Sequence, residues 1–120
     1  MCYAALMDEN TTAGPAANRG AAKALEEFRR SLSDAAPPAD AELAVQALWW
    51  AGKDDWDKAH RIVMDNAGAD CAWVHAYLHR AEGDLGNAGY WYRQAGRKPA
   101  TGELAAEWEA ITTALLSERS

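Results

Sequence analysis

Two histidines, His75 and His79, lie four residues apart in WVHAYLHRAEGD, a spacing that places both imidazoles on one face of a helix. An HxxxH pair of this kind can present two nitrogens to one divalent metal ion such as zinc. His60, from the preceding predicted helix, can supply a third ligand, and Glu82 can act as base on a metal-bound water. The match to the hydrolase motif HExxH is partial, because Ala76 stands where that motif has its glutamate. A small metal-binding protein or metalloenzyme is therefore one interpretation of these residues.

The other interpretation requires neither a metal nor another cofactor. Histidines at the edge of a buried helix face often bond a carboxylate, a backbone carbonyl or a tyrosine hydroxyl. We favour this interpretation, in which the protein is a non-catalytic binding or scaffold module with a protein partner. Aromatic and arginine side chains are typical of recognition surfaces. The candidate binding residues are His60, His75, His79, Asn87, Tyr90, Trp91 and Arg93.

Composition and charge narrow the remaining function classes. The net charge is −6, with no basic run longer than a pair, so nucleic acid and anionic membranes are not expected partners. There is no apolar stretch of spanning length, and the N-terminal residues do not read as a secretory signal, so we expect a cytoplasmic protein. The two cysteines are far apart and predict neither a disulfide framework nor a zinc knuckle. The GxxGxxG formed by Gly83, Gly86 and Gly89 follows no strand and is a weak nucleotide motif.

The elements that must position these residues are helices. Only three valines and two isoleucines occur among 120 residues, whereas alanine, leucine and glutamate are abundant, which predicts an all-α fold. Residues 1–17 are expected to form a flexible N-terminal arm, and residues 18–120 a single helical domain of about six helices. Asp40, either Asp54 or Asp55, Asp84 and Thr101 are candidate N-caps, and glycines after the helices are candidate left-handed C′ residues. The predicted helices cover about 18–33, 40–51, 54–67, 70–82, 84–95 and 101–115.

Short connections between the second and fifth helices predict antiparallel hairpins. The segment GDLGNAGYWYRQA is similar to the second helix of a tetratricopeptide repeat, and DDWDKAHRIV echoes it. The small residues Ala59 and Ala88 would let paired helices approach closely. They are 29 residues apart, whereas true repeats recur at about 34, so we predict a repeat-like domain and not a regular solenoid.

Residues 43–116 also resemble a family of small bacterial helical proteins to which no activity is attached, with looser relatives in fungi. The resemblance rests on ALWWAGKDDWDKAH, WVHAYLHRAEGDLGNAGYWYRQAGR and EWEAI. It implies a helical fold and draws attention to the unusual polar residues, without implying what they do.

If the third, fourth and fifth helices are antiparallel, their midpoints bring the three histidines to one level with Asn87, Tyr90 and Trp91. Six tryptophans are many for this length, and adjacent Trp49 and Trp50 cannot both face one core. Some aromatic rings are therefore expected at a surface or interface, and a two-fold homodimer is one use for them.

Overall fold

The computed structural model describes residues 14–118, with side chains described for residues 22–117. This part of the chain contains six helices and no strand, which confirms the all-α prediction. None of the described helices is both long and apolar enough to cross a bilayer. The helices are α1 (Gly14–Ser31), α2 (Leu43–Gly52), α3 (Trp56–Met64), α4 (Ala69–Ala81), α5 (Leu85–Ala95) and α6 (Leu104–Glu118).

Helices α2 and α4 form the centre of the molecule. In α2, Ala47, Leu48 and Trp49 are fully buried, and α4 is buried on several faces. Helix α4 packs against α2, α3, α5 and α6, while α1 packs mainly on α6. The main core fills one side of α4, and a smaller core on its other side contains Ala76, Ala88 and Tyr92. Because α4 separates two cores, its polar residues have little access to water.

Two local signals place the hairpins. The Asp84 side chain accepts a hydrogen bond from the backbone N–H of Asn87 and caps α5 as predicted. Of the two candidates for α3, Asp54 and Asp55, it is Asp55 whose side chain accepts from the backbone N–H of Lys58. Gly83 and Gly96 have φ values of 90° and 70°, which glycine adopts more easily than any other residue. The connections α2–α3 and α4–α5 are short, and each joins helices that pack side by side.

Several predicted boundaries were wrong. Helix α1 begins at Gly14, before the predicted start at residue 18; the rest of the predicted arm, residues 1–13, lies outside the described residues. Asp40 does not cap α2, whose N-cap is Glu42 without a side-chain bond. Gly52 is the last residue of α2 and not a left-handed C′ residue, while Asp54 carries the positive φ of 63°. A Cβ at Gly52 would lie 3.1 Å from Leu32 and Trp108, so close helix packing explains this glycine.

A polar network ties α4, α5 and α6 together, and we call Arg80, Tyr92 and Glu107 the carboxylate cluster. The Glu107 carboxylate is buried, and each of its oxygens accepts a hydrogen bond. Arg80 Nη1 donates to Oε1 at 2.9 Å, and the Tyr92 hydroxyl donates to Oε2. Arg80 also donates to the carbonyl of Gly102. Burial and the bond to Glu107 raise the pKa of Tyr92, so the hydroxyl remains a donor at neutral pH.

Candidate metal centre

Helices α3 and α4 bring the three predicted histidines together. His75 and His79 lie on consecutive turns of α4 and are only 4% and 6% exposed, while His60 of α3 is partly exposed. His75 and His79 were expected at the edge of the α4 face, but both are buried, and Trp91 of α5 stacks on His75. His60 was expected near the inward face of its helix and is more exposed than that. We refer to His60, His75 and His79 as the histidine cluster.

The three imidazoles converge. One nitrogen of each ring lies within 4.8 Å of a nitrogen of both others. Nε2 of His60 and Nε2 of His75 are 3.2 Å apart. Two nitrogens bound to zinc at 2.0–2.1 Å with tetrahedral angles would be separated by about 3.3 Å. The His60–His75 pair therefore already has the separation of two ligands in one coordination shell.

Two tryptophans form the walls of the cluster. The ring of Trp56 stacks on His60, with centroids 4.5 Å apart and planes inclined by 14°. Trp91 of α5 stacks on His75 with a centroid distance of 4.0 Å and an angle of 13°. Trp56 is itself held by its indole N–H, which donates to the carbonyl of Leu78 at 2.7 Å. Each of the two facing histidines, His60 and His75, is therefore held in place by a stacked indole ring.

Glu82 orients His79. Its Oε2 lies 2.7 Å from Nδ1 of His79. A proton on Nδ1 makes this a hydrogen bond to the carboxylate and leaves the lone pair of Nε2 free, which is the arrangement of a carboxylate that supports a metal-binding histidine. The sequence predicted Glu82 as a base; in the structure its described contact is with a candidate ligand. His79, Glu82 and Asp84 form a second group of closely spaced ligand atoms, in which Glu82 and Asp84 are exposed.

The environment keeps two of the imidazoles neutral. Burial, reinforced by the neighbouring His60 and His79, lowers the pKa of His75 to about 4. The pKa of His60 is also lowered, mainly by burial and then by His79. Neutral imidazole is the form that binds metal ions. At neutral pH His60 and His75 are therefore ready to donate lone pairs, without first losing a proton.

The hydrogen bonding of His75 is incomplete. A neutral His60–His75 pair can share one proton between the two facing Nε2 atoms, but Nδ1 of His75 is buried and has no partner in the described part of the chain. A buried polar atom without a partner costs free energy, and an ion held between the two facing Nε2 atoms would leave this Nδ1 unpaired. In this cluster, the cost falls on a predicted site residue.

The other predicted binding residues are less closely joined. Tyr90 packs edge-on against Trp91, with centroids 5.0 Å apart, and is 46% exposed. Asn87 is exposed, and its described bonds are to Asp84. Arg93 is exposed on the same helix and has no described contact with the histidines. Trp56 was not among the predicted site residues, although its position four residues before His60 is the signal for a shared helix face.

Comparison of the chain with protein-family models, with curated proteins and with solved structures found no match. The resemblance to small bacterial helical proteins and the tetratricopeptide-like character of the hairpins therefore stay predictions.

Proposed function

We propose that this protein binds a divalent transition metal, with zinc the best fit, through His60, His75 and His79. The observation that carries the proposal is the convergence of three imidazole nitrogens within 4.8 Å. The contact of 3.2 Å between the facing nitrogens of His60 and His75 supports it further. His79, oriented by Glu82, is the third member of the set.

Imidazole ligands favour zinc, copper, nickel and iron over magnesium or calcium, which prefer oxygen. Three protein ligands leave one position of a tetrahedral ion for water or for another donor. The acidic groups described near the cluster are Glu82, whose carboxylate bonds His79, and Asp57, whose charge acts on His60. We propose metal binding, without a catalytic step, as the activity. The proposed location is the cytoplasm.

The test is metal content of the purified, untagged protein after equilibration with zinc, measured by elemental mass spectrometry, and zinc affinity by calorimetry. The wild type should hold one ion per chain. The double variant His75→Ala, His79→Ala should hold none while it keeps its helical circular dichroism spectrum. Absence of bound metal from folded wild type, or equal metal in the folded variant, would overturn the proposal.

The exposed aromatic edge of α5 supports a second candidate, recognition of a protein partner. Tyr90 is 46% exposed, rests on Trp91, and has Arg93 on the same helix. Such a combination is typical of binding hot spots. A partner identified by co-purification should bind the purified wild type and lose affinity on Tyr90→Ala and Arg93→Ala at unchanged thermal stability; self-association lost in these variants would identify a homodimer.

A further inference from the structure

A cleft of about 640 Å³ opens between α1, α2, α4, α6 and the start of α3, and none of the three histidines lines it. Its volume lies within the range of small-molecule sites, roughly 300–1,000 Å³. Most of its lining is apolar, and three aromatic side chains contribute to it, Trp56, Tyr77 and Trp108. The cleft is therefore large enough, and apolar enough, to enclose the body of a small organic ligand.

Few polar groups line this cleft, and their charges indicate the charge of the ligand that it would accept. Neither the carboxylate of Asp54 nor the hydroxyl of Tyr77 has a hydrogen-bonding partner among the described residues. Burial, followed by the negative charges of Glu107 and Asp54, raises the pKa of Tyr77, so its hydroxyl stays protonated and Asp54 lies within electrostatic reach of it. Arg29, the one cation in the lining, is paired with Glu109. The positive charge of Arg80 also acts on Tyr77, but Arg80 is paired with Glu107. Among the lining residues the unpaired charge is therefore that of Asp54, whose side chain is exposed to solvent.

The backbone at Asp54 supports a role for its side chain. Asp54 has φ of 63°, a conformation in which glycine is the least costly residue. Asparagine and aspartate tolerate this region better than other residues, but still at a cost. An aspartate at this position retains a carboxylate in the lining of the cleft where a glycine would relieve the backbone.

We propose that the cleft binds a small organic cation, an amine or quaternary ammonium group attached to an apolar body. The cation pairs with Asp54 and lies against the aromatic side chains of the wall, which attract cations through their ring faces. The apolar body occupies the remainder of the cleft, and Tyr77 supplies a hydrogen bond to a polar substituent. This proposal does not depend on metal binding by the histidines.

The test is isothermal calorimetry on the full chain with a chelator present, so that the histidine cluster is free of metal. The probes are benzyltrimethylammonium and phenethylamine, with neutral benzyl alcohol as the comparison at constant ionic strength. The wild type should bind at least one of the two cations saturably and more tightly than the alcohol. Asp54→Asn, which keeps a residue suited to the positive φ, should weaken binding of that cation by roughly two- to fivefold, the effect expected of an exposed ion pair. The matched control Asp65→Asn, at an exposed aspartate outside the cleft, should not.

A second pair of variants tests location. Ala105 is exposed and lines the cleft, whereas its neighbour Ala106 is exposed and lies outside it. Ala105→Trp should abolish binding of the cation by filling the space, and Ala106→Trp should leave it unchanged, with both variants folded by circular dichroism. Absence of saturable binding of both cations at about 10 mM, weaker than any useful affinity, would overturn the proposal. Equal binding by wild type, Asp54→Asn and Ala105→Trp would overturn it as well.

Discussion

The histidine cluster and the carboxylate cluster are both buried and both use α4, yet they differ in how their polar atoms are satisfied. In the carboxylate cluster, each oxygen of Glu107 accepts a bond, and the donors come from two helices. In the histidine cluster, two like groups face each other and Nδ1 of His75 has no partner. A satisfied network stabilises one arrangement of helices, whereas an unsatisfied one is a better candidate for a ligand site.

The largest effect is expected from breaking the satisfied cluster. Glu107→Ala leaves the guanidinium of Arg80 and the hydroxyl of Tyr92 without their buried acceptor. Loss of one partner of a buried ion pair costs about 3 to 5 kcal/mol. Urea denaturation should show this loss. Glu103→Ala, at an exposed glutamate four residues before Glu107, should change stability little. A loss below about 1 kcal/mol in Glu107→Ala would show that the cluster is not structural.

The next effect is the pH dependence of the metal-free protein. Because the pKa of His75 is lowered from 6.5 to about 4 in the folded state, the unfolded chain takes up its proton first as the pH falls. Protons therefore favour unfolding, and His75 should remove about 3 kcal/mol of stability between pH 7 and pH 4. Urea denaturation across this range should be less steep for His75→Phe, which can keep the stacking on Trp91. Identical pH profiles would contradict the lowered pKa.

Zinc should stabilise the protein independently of the carboxylate cluster. At a concentration about a hundredfold above its dissociation constant, a ligand of the folded state adds about 2.7 kcal/mol. Tyr92→Phe should lower the baseline by about 1.5 kcal/mol through loss of one bond to Glu107, but gain the same increment from zinc. Thermal unfolding with and without zinc measures both quantities. A smaller zinc increment in Tyr92→Phe would mean that the two clusters are coupled.

The smallest effect on stability is expected at Glu82. Glu82→Gln removes the carboxylate that orients His79, and such supporting groups contribute about tenfold or more to metal affinity. Because the Glu82 side chain is partly exposed, the free energy of unfolding without metal should change by less than about 0.5 kcal/mol. Calorimetric zinc titration of Glu82→Gln beside Glu103→Gln separates the two quantities. Unchanged zinc affinity would remove Glu82 from the site.

Local signals in the sequence were sufficient for the helices and for part of the site. Asp55, Asp84, Gly83 and Gly96 act within one turn of their own positions, which is why their roles could be predicted from spacing. The same holds for His75 and His79, which any helix would place on one face. His60 joined them because the connections of the hairpins are short.

Long-range contacts were not accessible in this way. Glu107 meets Arg80 across 27 residues and Tyr92 across 15, and nothing in its spacing marks it as buried. A glycine stands at position 52 because Leu32, just after α1, and Trp108 of α6 leave no room for a side chain. Asp40 has the right residue type for an N-cap, but α2 begins after Glu42. In each case the outcome depends on which helices pack together and not on the local pattern.

Trp56 belongs to two places at once, because its ring stacks on His60 and also lines the cleft. The indole N–H bond to Leu78 limits how far this ring can move. If an occupant on one side displaces the ring and this changes affinity on the other side, thermodynamic linkage makes the two effects equal in magnitude. A single indole shared in this way would make the metal and the organic cation effectors of one another.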